Sequence, residues 1–151
     1  MVANFIRGQR AKIILVLLYR GTRDGWTTDN IHQKIDDEGP TVTLVKTSKG
    51  NIFGGFTNAS WDKASGFKSD SEAFVFSVDT GAKYPVDKNQ AQKAICCSKS
   101  RGPYFGFTFF YVNANAKSGM NCYVYRDSAV YPNTPKHVNA KTMFLEGDEY
   151  Y

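Results

Sequence analysis

Apolar residues along this chain fall in short runs separated by polar turns, the pattern of a β-rich domain with a little helix. The first run, Ile13-Ile14-Leu15-Val16-Leu17-Leu18-Tyr19, is continuous, which predicts a buried strand covered on both faces. Ahead of it, residues 2–8 read as the last turns of a helix, with Phe5 and Ile6 packing and Gly8 ending it. Thr22-Arg23-Asp24-Gly25 reads as a turn, and Thr27 or Thr28 as the cap of a helix running through Ile31, His32 and Ile35. Asp29 suits the positive end of that helix. Asp36-Asp37-Glu38 oppose the dipole at its other end, so it stops before Gly39-Pro40.

Thr41 to Thr47 and Asn51 to Phe56 follow as strands of a hairpin, with Ser48-Lys49-Gly50 between them. Residues 57–72 are polar and irregular, anchored by Trp61 and Phe67. Ala73 to Val78 is a core strand whose Phe74 and Phe76 are two apart and so face one side, expected to be the core. Tyr84-Pro85-Val86 reads as a short edge piece. Ala94 to Cys97, Tyr104-Phe105, Phe109 to Val112, Cys122 to Tyr125 and a closing Met143 to Tyr151 are further strands. The fold class predicted is α+β: two antiparallel β-sheets packed as a β-sandwich, with flanking short helices.

Composition sharpens this picture. With 151 residues, 42% of them hydrophobic, the chain suits one domain with a substantial core. Eleven Phe, nine Tyr and two Trp favour rings packed across strands. The net charge of +5 comes from scattered lysines and arginines, without a basic run or an RNA-binding sheet signature, so no nucleic-acid partner is expected. The apolar run after Arg7, Arg10 and Lys12 is too short to cross a bilayer, and Tyr19-Arg20 follows it instead of a small-residue cleavage site. No membrane insertion is expected, and the chain reads as a soluble, cytoplasmic protein.

Catalytic chemistry is hard to find. Cys96, Cys97 and Cys122 match no zinc spacing and read as buried free thiols of a reducing compartment. His32 and His137 stand in unrelated contexts, and His32 reads as a surface or boundary residue of its helix. No metal, cofactor or catalytic residue is assigned.

Several motifs occur in an order that resembles the TLDc domain family. They are Leu17-Leu18-Tyr19 with Arg23-Asp24-Gly25, the Gly39-Pro40-Thr41 entry, Gly50-x-x-Phe53-Gly54-Gly55, and Glu72-Ala73-Phe74-Val75-Phe76-Ser77. Gly102-Pro103-Tyr104-Phe105-Gly106, Phe144 and Glu149-Tyr150-Tyr151 continue the match. The resemblance covers residues 1–151 as a single TLDc-like domain whose N-terminal helical part is shortened. It implies a non-catalytic protein-interaction domain that docks to the vacuolar proton-pumping ATPase or another large assembly and is linked to oxidative-stress resistance. Two alternatives stay open: a structural adaptor of a cytoskeletal or ciliary assembly, and a small oxidative-defence enzyme, for which Glu72 as a base or Cys97 as a peroxide-sensing thiol would be the residues to consider. Recognition on a rigid sandwich belongs to loops and turns, which makes Arg23, Asp24, Lys49 and Lys68 the candidate binding residues. Glu72, at the entrance to an apolar strand, is expected to sit in a structural polar network with Thr22 or Arg23.

Overall fold

The computed structural model describes residues 5–6, 13–47, 50–106, 110–115, 119–124 and 129–132. Among the described residues Phe5 and Ile6 are helical, and two short α-helices follow: α1 (Gly21–Asp24) and α2 (Thr28–Ile35). Four strands, β1 (Thr41–Lys46), β2 (Ile52–Thr57), β4 (Phe74–Ser77) and β5 (Lys83–Pro85), form one sheet in the order β1-β2-β4-β5. Five more, β3 (Gly66–Lys68), β6 (Ile95–Cys97), β7 (Tyr104–Phe105), β8 (Phe110–Asn115) and β9 (Gly119–Val124), form the second in the order β3-β6-β7-β8-β9. All the pairings are antiparallel. The two-sheet α+β architecture is the one the apolar pattern predicts. The closing strand expected at 143–151 and the expected helix end at Gly8 lie outside the described residues.

Thr27 is the cap of α2, its hydroxyl oxygen accepting from the Asn30 amide at 3.2 Å. The helix ends at Ile35. Beyond it Asp37 takes a left-handed φ of 62° and donates its amide to Trp61 O at 2.9 Å. Ile31 and Ile35 turn inward, into a core shared with Phe53, Trp61, Val75, Ile95, Phe105 and Tyr131.

The register of β2 explains how closely the sheets pack. Gly54 lies opposite Phe76 and Gly55 opposite Val75, so the two glycines look to opposite faces of the sheet. A Cβ on Gly55 would lie 2.6 Å from the Phe105 ring of the second sheet. One on Gly54 would lie 1.9 Å from Thr43 O on β1, with the tip of Phe76 also close.

One expectation about the apolar runs is met in part and another fails. Phe74 and Phe76 do share a side and are buried, but it is Val75 that belongs to the core between the sheets. The two rings pack on the other face, where Phe74 stacks on Phe56 at 5.1 Å and Phe76 on Phe5 at 5.0 Å. Both faces of this sheet are therefore covered, and Lys83 helps hold the outer cover by donating to Phe5 O at 2.6 Å while lying over the Phe74 ring.

The expectation that fails is the strand over Ile13 to Tyr19. Residues 13–20 are neither helix nor strand, and Ile14, Leu15, Val16 and Leu17 are each more than half exposed. Among the described residues no neighbouring strand hydrogen-bonds to this run, and an apolar run without a ladder partner has no face to bury. Only Leu18 and Tyr19 pack against the core.

The buried acid is also not the one expected. Glu72 is exposed and does not meet Thr22 or Arg23, whereas Asp70, two residues earlier, is buried. Its carboxylate accepts from Thr57 Oγ1 at 2.7 Å, Asn58 N at 2.6 Å and Glu72 N at 3.0 Å. An acid reaches the amide two residues on through its own side chain, so in Asp70-Ser71-Glu72 the aspartate is the locally satisfied group.

Two outcomes follow from this packing. Gly55→Ala is expected to destabilise the domain by about 1–3 kcal/mol, the range for overpacking a filled core, in urea unfolding. Asp70→Ala is expected to cost about 1–3 kcal/mol by leaving buried donors unpaired, whereas Glu72→Ala should fall within about 0.5 kcal/mol of the parent.

Candidate binding surface

The surface that the sequence singles out is built by residues 18–26. Tyr19 enters from the core and its hydroxyl donates to Gly25 O at 2.6 Å, tying the two ends of α1 together. The Arg20 amide donates to Asp24 Oδ2 at 2.8 Å, and its guanidinium donates to Thr22 Oγ1 at 2.9 Å. Thr22 therefore belongs to the turn's own network, without Glu72. Arg23 forms a two-pronged pair with Asp24, Nε to Oδ1 and Nη2 to Oδ2, each at 2.8 Å. Its Nη2 also reaches Leu18 O at 3.1 Å. Trp26 folds back over Gly21, where any side chain would collide with the indole ring, and remains partly exposed.

The electrostatics follow from these contacts. The Arg23 guanidinium, helped by the Arg20 amide, holds the Asp24 carboxyl down at about 2. In turn, hydrogen bonding to Asp24 raises Arg23 further. The arginine stays half exposed, so the pair locks the turn while presenting a cation beside the exposed Ile14–Leu17 run.

Of the other candidates, Lys68 lies on β3 and is engaged elsewhere. It donates to Asp62 Oδ2 and to Ser60 O, each at 2.6 Å. Its ammonium keeps the Asp62 carboxyl below the usual carboxylate range. Lys49 lies outside the described residues. Structure thus joins Arg23 and Asp24 in one turn and assigns Lys68 to a separate contact at the edge of the second sheet.

Nothing in the two described thiols, Cys96 and Cys97, favours nucleophilic chemistry. Burial pushes Cys97 up to about 11 and raises Cys96 as well, the reverse of what a peroxide-sensing thiol requires. Both are free. No group of three or more His, Cys, Asp or Glu able to hold a metal gathers among the described residues. Nor is any described helix long and apolar enough to cross a membrane.

His32 corrects the expectation of a surface or boundary histidine, since it is buried. Its Nδ1 lies 2.7 Å from Asp36 Oδ1, and its Nε2 lies 3.1 Å from Ser98 O and 3.0 Å from Arg101 O. The i, i+4 spacing of His32 and Asp36 on one helix face is a signal the sequence carried. The contact with residues 98–101 crosses the domain and has no local signature.

Comparison with known proteins places the chain in a family. The model of the TLDc domain matches residues 1–146. The MTOR-associated protein MEAK7 of Danio rerio is 58% identical over 40 residues, 26% of this chain and 9% of its own length. Its Xenopus laevis counterpart is 25% identical over 146 residues, 87% of this chain and 32% of its own length. The Gallus gallus protein is 36% identical over 62 residues, 41% of this chain and 13% of its own length. The chain therefore spans about a third or less of the curated relatives it matches. With a family match that runs over nearly all of it, this chain belongs to the TLDc domain family.

Proposed function

We propose that this chain is a non-catalytic, cytoplasmic protein-binding domain that docks to a large assembly through the turn at residues 20–26 and the adjoining Ile14–Leu17 run. The observation that carries the reading is the pairing of those two features. A cluster of large apolar side chains lies in the open beside a turn locked by hydrogen bonds and by the Arg23–Asp24 pair. Such a surface loses little freedom on binding and combines an apolar centre with an arginine at its rim, the composition of protein-recognition sites. Buried, protonated thiols support binding over redox catalysis.

Two assemblies are the partners to test. The relatives carry the name MTOR-associated protein, which directs attention to an mTOR-linked assembly. The TLDc resemblance directs it to the vacuolar proton-pumping ATPase and to oxidative-stress resistance. Purified chain presented to each assembly should bind one of them with no turnover of peroxide, ester or phosphate substrates. Trp26→Ala and Arg23→Glu should each weaken that binding at least tenfold, ~1.4 kcal/mol. Binding should also fall as added salt shortens the Debye length below ~10 Å. Turnover abolished by Cys97→Ser or Glu72→Gln, without partner capture, would reverse the assignment to an enzyme.

The turn itself has a pH signature. Because Asp24 titrates at about 2 in the folded chain, below the ~3.9 of an unfolded aspartate, its contribution to the turn is complete above the unfolded value. That contribution is lost as the pH falls through about 2. Carboxyl carbon NMR should place its midpoint there, and Arg23→Ala should move the midpoint up towards the ordinary value.

A further inference from the structure

Two features of this fold each lack a neighbouring strand. Ile13 to Leu18 is an uncharged run of isoleucine, leucine and valine, with Ile14–Leu17 exposed and no ladder partner among the described residues. β1, six residues long, pairs with β2 alone among the described residues, so its other side is an open edge. Such an edge presents alternate N–H and C=O groups to whatever strand comes next.

Edges are commonly guarded by charge, proline or brevity. β5 has Lys83 and Pro85 within three residues, and β3 is three residues ending in Lys68. β1 has no charge from Thr41 to Val45. Val45 packs against the core and Thr41 accepts from Trp61, so Val42 and Leu44 look to the outer face. Leu44 stands opposite Gly54, which has no side chain to cover it, and is half exposed. The run, for its part, is held ready. Arg23 Nη2 donates to Leu18 O and the Tyr19 hydroxyl donates to Gly25 O, so the locked turn fixes the end at which the run leaves the core. It forms no ladder with β1 of its own chain.

We propose that two copies of this chain pair reciprocally, the Ile13–Leu18 run of each adding as a strand to the β1 edge of the other. Complementarity names the occupant: one chain carries both an unpaired strand-forming run and an unpaired edge of matching length. Neither Ile13–Leu18 nor Thr41–Val45 bears a charge that pairing would bury. A two-fold axis lets each copy give one run and take one, which uses both features twice and closes the assembly at two. Pairing satisfies backbone groups of both strands and takes Ile14–Leu17 and Leu44 out of water together. The inference goes beyond the docking proposed above. Because it uses the same run, self-pairing and docking exclude each other, and its test needs the pure chain alone.

Sedimentation equilibrium of the full chain should pass from one chain to two as its concentration rises through the micromolar range. Amide exchange at residues 14–17 should slow at least tenfold over the same range. Val16→Lys puts a charge in the run and Leu44→Lys puts one beside the edge. Both positions are exposed, so each variant should fold, and each should stay monomeric. Mixed at millimolar concentration, the two variants should associate again, because the run of the Leu44→Lys chain still fits the edge of the Val16→Lys chain. Non-specific apolar association does not produce that complementation. A parent chain that stays single into the millimolar range, a dimer that survives both substitutions, or a mixture that stays monomeric overturns the proposal. So does a monomer whose residues 14–17 are already protected, because its own chain then covers the run.

Discussion

The absence of side chains at two adjacent positions in β2 sets the spacing of this domain. Gly55 leaves room on the inner face for the Phe105 ring, which also meets Trp61 edge-on at 5.5 Å between centroids. Gly54 leaves room for the β1 backbone and for the tip of Phe76 on the outer face. One strand therefore receives aromatic packing from both sides, and neighbouring strands approach closely enough for the remaining core to fill. Larger residues here would hold the sheets apart and open gaps around Val75, Ile95 and Tyr131. Interiors packed at crystal-like density do not tolerate such gaps cheaply.

The polar groups enclosed by this packing are matched one by one. Asp70 gathers the donors of the segment after β2, and Trp61 Nε1 donates to Thr41 Oγ1 at 2.9 Å. The Tyr131 hydroxyl donates to Ala94 O at 2.9 Å, and burial pushes its phenol well above the usual range. His32 completes the set by bridging α2 and the 98–101 turn. Apart from the His32–Asp36 contact, these bonds join residues at least 12 apart in sequence, so they specify the arrangement of loops around a sandwich that apolar burial alone leaves less defined.

The proposed recognition surface lies outside this matched interior. The turn at 20–26 is anchored from within by Tyr19 and locked at the surface by Arg23 and Asp24. Beside it the Ile14–Leu17 run exposes apolar side chains of the kind that elsewhere in the molecule are buried. An open apolar run next to a rigid, charged turn supports a role in recognition. Of the free thiols described, Cys97 is buried and Cys96 half-buried, and burial favours the protonated form of both.

Local chemistry in the sequence determined most of the strands, the cap of α2 at Thr27 or Thr28, its stop before Gly39-Pro40 and the β1–β2 hairpin. Period, capping residues and turn residues act over a few positions and need no tertiary partner to be read. The same information placed Phe74 and Phe76 on one side, because alternation is a property of the strand alone. It did not say which side, since both faces of the sheet are covered and the residues that cover them come from elsewhere in the chain. For the same reason a continuous apolar run at Ile13–Tyr19 reads as a buried strand although the fold leaves Ile14–Leu17 open: burial requires a neighbour, and hydrophobicity does not supply one. The choice of Asp70 over Glu72, the bridging role of His32 and the use of Tyr131 as a core plug were likewise decided by tertiary structure. The His32 and Tyr131 contacts rest on partners far along the chain, whereas Asp70 adds Thr57 and Asn58 to a local bond with the Glu72 amide.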